Sequence, residues 1–205
     1  MTKYGFHTQT MSGLWKVMRI NLVKQYVDDF KNALEAVEND SPYIITFNTD
    51  KIADIDCCKK LIKTHKDKLV HGSKSVYLFE LVEITTNKQM IGKRYNDEKL
   101  NNKERNFSRI NKGHETSQTL YVGSSSSSLL VRFRNHIGIG ARKDTLCKGS
   151  PKTWSLHLRH WATNLNIDLR FKYIFLNSFT DAQLHTFEDI LWEIEKPMFG
   201  KKGGK

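Results

Sequence analysis

Cysteine is scarce, with three in 205 residues, two of them adjacent at Cys57 and Cys58. That usage forms neither a disulfide framework nor the spacing of a metal knuckle. No apolar run is long enough to span a bilayer. The opening residues Met1 to Thr10 lack the apolar segment of a secretory signal, so an intracellular, cytoplasmic protein with no membrane partner is expected. Proline occurs three times, and each reads as punctuation: Pro42 stops one helix, Pro151 starts another and Pro197 closes the last. Acids are also in short supply. Asp and Glu number 22 against 33 Lys and Arg, a net charge of +11 and an isoelectric point near 9.5. Such an excess points to a polyanion, for which nucleic acid is the commonest partner.

At 39% hydrophobic, the chain can build one domain with a real core plus an extension. Residues 14–38 carry Leu14, Met18, Leu22, Tyr26, Phe30, Leu34 and Val37 at three- or four-residue spacing, which predicts a long amphipathic helix. A short β-type run at Tyr43 to Phe47 follows, and Asp50 is placed to cap a second helix with Ile52, Ile55, Leu61 and Ile62. Residues 1–72 thus read as a helical N-terminal extension, with an arm that contacts DNA or a partner as the alternative.

The main domain is expected over residues 73–205. Ser75 to Val82 and Thr119 to Val122 read as two strands that pair, the second ended by Gly123. The segment between them, residues 84–118, is polar and basic, with only Tyr95 and Phe107 as aromatics. It reads either as a solvated loop or as the mixture of cations and aromatics that grips a phosphate backbone. After the run Ser124 to Ser128, read as a flexible turn, comes a helix with Leu129, Phe133 and Ile137 along one edge. Arg132 and His136, four apart, share a face of that helix. Trp154, Leu158, Trp161 and Leu165 predict another helix from Pro151, its tryptophans in the core. His157 and His160 read as surface histidines, since no cysteine or acidic partner is near. Asp168 to Leu176 alternates as a strand. Thr180 and Gln183 form a capping box for a last helix with Leu184, Phe187, Leu191 and Ile194 as its buried stripe and Glu188 at the margin.

In this order the pieces resemble the GIY-YIG nuclease family over about residues 73–203. Ser75-Val76-Tyr77 looks like the first signature and Tyr121-Val122-Gly123 like the second. Arg132 with His136, and Glu188 with a proline nine residues on, match the family's spacing. Ser75 stands where the family prefers glycine, and Gly200 where it has asparagine. The turn after Gly123 is longer by one residue, and the stretch between signatures is long.

The resemblance implies an α/β (α+β) fold with a small three-stranded, mainly antiparallel sheet flanked by helices. It implies a phosphodiester hydrolase acting on double-stranded DNA with Mg²⁺ or Mn²⁺. Tyr77, Tyr121, Arg132, His136 and Glu188 would carry the chemistry, Glu188 holding the metal, Tyr77 being first choice as general base and His136 a support. Lys93, Arg94, Lys103, Arg105, Arg109, Arg134, Arg142 and Lys143 are the candidate DNA contacts. A free-standing chain with a basic insertion suits a type II restriction-like enzyme, acting as a homodimer. Repair or homing nucleases, and a non-catalytic nucleic-acid-binding protein on the same scaffold, are the alternatives.

Overall fold

The computed structural model describes residues 9–38, 43–70, 72, 74–83, 87–140 and 152–203. Contacts divide the chain into Met1–Asn39 and Asp40–Lys205. The described residues of the first unit form one helix, α1 (Gln9–Glu38), in which the ring centroids of Tyr26 and Phe30 lie 6.3 Å apart. The second is α/β, built on strands β1 (Ile44–Asn48), β2 (Ser75–Leu81), β3 (Thr119–Ser125) and β4 (Asp168–Phe175). Its helices are α2 (Ile55–Leu69), α3 (Lys88–Asn101), α4 (Leu129–Ile137), α5 (Leu158–Trp161) and α6 (Asp181–Glu195).

The sheet has four strands rather than three, in the order β1-β4-β2-β3, every neighbouring pair antiparallel. The added strand is the short run at residues 44–48, which joins the outer edge of β4 with Ile44 opposite Lys172. It and α2 therefore belong to the sheet unit, so the unit boundary falls near residue 39 instead of 72. A strand this short is weak alone and gains its backbone partners from a segment far along the chain.

An aromatic cluster fills one face of the sheet. Phe171 lies 4.7 Å from Phe79 and 4.8 Å from Phe133, and Phe47 meets Phe133 edge-on at 6.0 Å. Leu129, Phe133 and Ile137 are all fully buried, as their spacing predicts. Burial of each such side chain stabilises the fold by roughly 1.5–3 kcal/mol. Ser128 caps α4 by accepting from Val131 N, and Gly138, at φ 89°, ends it.

Among its described residues the basic insertion is a helix with a buried side and an exposed basic one, not a wholly solvated loop. Its helix α3 buries Ile91 and Tyr95, and Phe107 follows into the core. Tyr95 stacks on Phe199 at 3.9 Å and donates to Ser108 O at 2.9 Å. The tail beyond α6 is held between β3 and this insertion. Phe199 N donates to Leu120 O at 2.9 Å, while Gly200 N donates to Arg109 O at 2.8 Å. That double seam carries Arg109, Gly200 and Lys201 to one place.

Several local expectations change. β3 continues past Gly123 to Ser125, because Ser124 and Ser125 pair with Val76 and Ser75. Asp54, accepting from Asp56 N, caps α2, whereas Asp50 accepts from Asn166 N at 2.9 Å and ties β1 to the approach of β4. The helix expected from Pro151 shrinks to four residues, because residues 152–157 hold no helix, Ser155 bridging Phe107 instead, and His157 takes a left-handed φ of 51°. His157 is fully buried, with Nε2 at 3.0 Å from Ser155 Oγ, so it is no surface histidine. Ile194 lies 58% exposed, outside the stripe of α6. The capping box of Thr180 and Gln183 forms as read.

Candidate active site

Register brings the two tyrosine motifs face to face. Across the β2–β3 ladder, Tyr77 stands opposite Gly123 and Tyr121 opposite Phe79. The missing side chain at Gly123 makes room, since a Cβ there would lie 2.7 Å from Tyr77 Oη and 2.7 Å from Tyr121 Cε1. The two phenol rings stack with centroids 6.3 Å apart.

Helix α4 then presents Arg132 and His136 to the same phenol. Arg132 Nε donates to Tyr77 Oη at 3.0 Å, and His136 Nε2 lies 3.1 Å from that oxygen. The tautomer follows from the other ring nitrogen. Leu156 N donates to His136 Nδ1 at 3.2 Å, so Nδ1 is unprotonated. Burial, with Arg132 adding to it, holds the imidazole pKa well below its ordinary value, so the ring is neutral. Its one proton sits on Nε2 and is donated to Tyr77. The Tyr77 oxygen thus accepts two hydrogen bonds, one from a fixed cation.

Two opposed effects act on Tyr77. Burial raises its pKa, and Arg132 works against that rise. Tyr121 is also raised, first by burial and then by Tyr77. Arg132 is raised by the two phenols, chiefly Tyr77, and remains a permanent cation.

Glu188 arrives from α6. Its side chain is 16% exposed, and its Oε2 accepts a short hydrogen bond from Ser124 Oγ. His185 Nδ1, one turn earlier, lies 3.7 Å from the same oxygen. Burial raises the Glu188 pKa, and the Ser124 hydrogen bond opposes it. Glu188 also acts electrostatically on Tyr77, Tyr121 and Arg132. All five candidate catalytic residues therefore converge.

A cleft of about 740 Å³ opens over this cluster. Tyr121, Arg132, Glu188, Ser124, Trp154 and Arg109 are among its walls. Tyr77, only 1% exposed, lies behind Tyr121, which is 8% exposed. Gly200 explains itself here: it has φ 108°, and a Cβ would come within 3.1 Å of the Tyr121 ring. A side chain at this position would press on the cleft-facing phenol.

The candidate DNA contacts separate. Arg109 lines the cleft. Lys93, Arg94 and Lys103 are exposed, and Arg105 is half-buried. Arg134 is half-buried and turns away, donating from Nη2 to Gly140 O at 2.7 Å. Arg142 and Lys143 lie outside the described residues. Sequence reasoning missed Ser124, His185, Lys152, Trp154 and Lys201, which also line the cleft. Only His185 carried a local signal, its i, i+3 spacing to Glu188 on α6.

As to a metal, among the described residues no three His, Cys, Asp or Glu side chains come together. Glu188 and the hydroxyl of Ser124 offer hard oxygen donors on one side of the cleft. That set fits Mg²⁺ or Mn²⁺, which bind through one or two carboxylates, keep several waters and take further oxygens from a phosphate. It does not fit a structural zinc site.

No helix among the described residues is long and apolar enough to cross a membrane. No family model matches the chain, nor does a curated protein or a solved structure.

Proposed function

We propose that the chain is a metal-dependent DNA endonuclease of GIY-YIG type, hydrolysing phosphodiester bonds in the cleft. The observation that supports this reading most is Tyr77 Oη, just behind Tyr121, accepting from both Arg132 Nε and His136 Nε2, with Tyr121, Arg132 and Glu188 lining one cleft. Two donors on one phenol oxygen, one of them cationic, work toward the phenolate against the burial that raises the Tyr77 pKa. The phenolate is the form able to take a proton from attacking water.

In the reaction, water adds to phosphorus, the bond to the leaving oxygen breaks and that oxygen takes a proton from solvent, while the attacking water's proton passes to the tyrosine pair, Tyr121 at the cleft wall and Tyr77 behind it. The remaining guanidinium donors of Arg132 hold the phosphate and its developing charge. His136, neutral and locked by Leu156 N, keeps the Tyr77 oxygen in place rather than shuttling the proton. Tyr121 in the cleft wall orients the water. Glu188 and Ser124 would hold the metal, whose chemistry when bound is to neutralise charge on the phosphate and leaving oxygens.

The experiment is incubation of purified protein with plasmid DNA and Mg²⁺, beside Glu188→Ala, Arg132→Ala and Tyr77→Phe. Wild type converts plasmid to fragments and each variant does not. The wild-type rate climbs with pH into the alkaline range, because burial raises the Tyr77 pKa. Discrete fragments identify a restriction-type enzyme, for which a two-fold dimer by sedimentation is expected. Intact DNA that is nevertheless bound sinks the enzymatic reading and leaves a binding protein.

A further inference from the structure

The sequence pattern puts Trp154 in the core, and it lies instead 61% exposed in the wall of the cleft. Trp161, by contrast, is buried and donates Nε1 to Leu156 O at 2.7 Å. An exposed aromatic by itself is ordinary. Two features set this one apart.

The first is rigidity. The backbone on both sides of Trp154 is bound to the insertion. Asn106 Nδ2 donates to Lys152 O at 2.8 Å, Ser155 N donates to Asn106 O at 3.4 Å, and Ser108 N donates to Ser155 O at 3.3 Å. Phe107 and Ser155 form a parallel bridge there. Ser155 Oγ also donates to Asn135 O of α4 at 3.2 Å, which ties the segment to the helix bearing Arg132. A large ring with two side-chain torsions on a fixed backbone costs little entropy to engage.

The second is charge. Among the described residues that line the cleft with Trp154, Arg109, Arg132, Lys152 and Lys201 stand against the one carboxylate of Glu188, four cations to one anion. A flat aromatic face among cations suits a ligand that is itself flat and flanked by anions. A nucleotide is that ligand, its base stacking on the ring while its phosphates meet the cations.

We propose that Trp154 is a stacking platform for an unpaired nucleobase, held beside the phosphate that the cleft grips. Within a duplex both faces of a base are covered by its neighbours. The ring therefore needs a base freed by a mispair, a bulge or a single-stranded stretch. The position next to a scissile phosphate rests on the nuclease reading, whereas the stacking itself does not. Arg109, Lys152 and Lys201 contact the phosphates on either side.

The test is binding by the full-length chain in chelator, to a short duplex with one bulged nucleotide and to its fully paired counterpart. Wild type, Trp154→Ala and Trp154→Phe are compared, with 2-aminopurine as the bulged base. Wild type binds the bulged duplex more tightly and quenches the 2-aminopurine. Trp154→Ala weakens bulged-duplex binding by about tenfold, leaves paired-duplex binding unchanged and abolishes the quench, and Trp154→Phe restores most of both. Because the ring is exposed, melting temperatures of the variants match wild type. Equal loss on both duplexes, or no loss on the bulged one, overturns the proposal.

The two readings fail separately. Plasmid cleavage that is lost in Glu188→Ala, with no 2-aminopurine quench by wild type, leaves the nuclease and removes the platform. A quench that depends on Trp154, without cleavage, does the reverse.

Discussion

Gly123→Ala perturbs the centre of the site while adding a single carbon. The new Cβ would lie 2.7 Å from Tyr77 Oη, 2.8 Å from Tyr77 Cζ and 2.7 Å from Tyr121 Cε1. Non-bonded heavy atoms settle near 3.5 Å, so these rings must retreat by about 0.8 Å. Neither has room. Tyr77 is hemmed by His136 and Phe171, with ring centroids 5.5 Å away in both cases. Tyr121 is backed by His136, with ring centroids 4.4 Å apart.

Overpacking of this kind costs about 1–3 kcal/mol. In a chain of this size, each kcal/mol lowers Tm by roughly 2–4 °C. A retreat of that size also stretches the contacts of 3.0 Å from Arg132 and 3.1 Å from His136, taking them past hydrogen-bonding range. A hydrogen bond to a charged group contributes about 1.5–3 kcal/mol, which places the loss in kcat/KM at about 10–100-fold. The assays are a thermal melt followed by circular dichroism and single-turnover cleavage with Mg²⁺. A wild-type Tm refutes the packing argument. A lowered Tm with undiminished kcat/KM refutes the link between the tyrosine contact and catalysis.

Gly92→Ala is the opposite case. It lies inside α3 with nothing within 4 Å of an added Cβ, so removal of a helix-interior glycine should stabilise by about 1 kcal/mol and raise Tm by roughly 2–4 °C. Glu188→Gln should abolish metal-dependent cleavage yet raise Tm at neutral pH. Burial raises the Glu188 pKa, so the folded state holds that proton more tightly than the unfolded chain. The favourable contribution of the protonated acid is fully present below the unfolded pKa and is lost as pH rises through the folded value. The advantage of glutamine, measured by melts across pH, should therefore close under acid conditions. Cys58 is buried, donates Sγ to Ile52 O at 3.2 Å and has its thiol pushed up to about 12 by burial, whereas Cys57 is exposed. In a Cys147→Ser background, a thiol reagent should titrate one group in the native protein and two in denaturant. Two rapid equivalents in the native state would refute the burial of Cys58.

Much of the site was legible because its parts are local. Leu129, Phe133 and Ile137 place the buried edge of α4, and that edge determines where Arg132 and His136 point. The capping box at Thr180 sets the start of α6 and so the angle of Glu188 on it. Features that depend on distant partners were not legible. Ile44–Asn48 has a β-type composition, but nothing near it reveals β4 as a partner more than a hundred residues on. Gly123 reads as a strand end until the pairing of Ser124 and Ser125 with β2 carries the ladder onward. Trp154 falls at helical spacing with Leu158 and Trp161, yet its backbone satisfies itself against Asn106 and Ser108 rather than within a helix.

The sequence by itself determined the excess of positive charge, the amphipathic helices and the sheet-forming runs, since these depend on composition and on neighbours within one or two turns. Only the tertiary structure decided which cations and aromatics face the cleft. Arg109 reaches it because Gly200 N binds Arg109 O, and Arg134 does not because Gly140 O takes its guanidinium. Trp154 stays outside the core while Tyr95 and Phe107, from the most polar stretch of the chain, enter it. The reason is physical: a side chain's surroundings are set by which remote segment supplies its backbone with hydrogen bonds, and short-range spacing does not carry that choice.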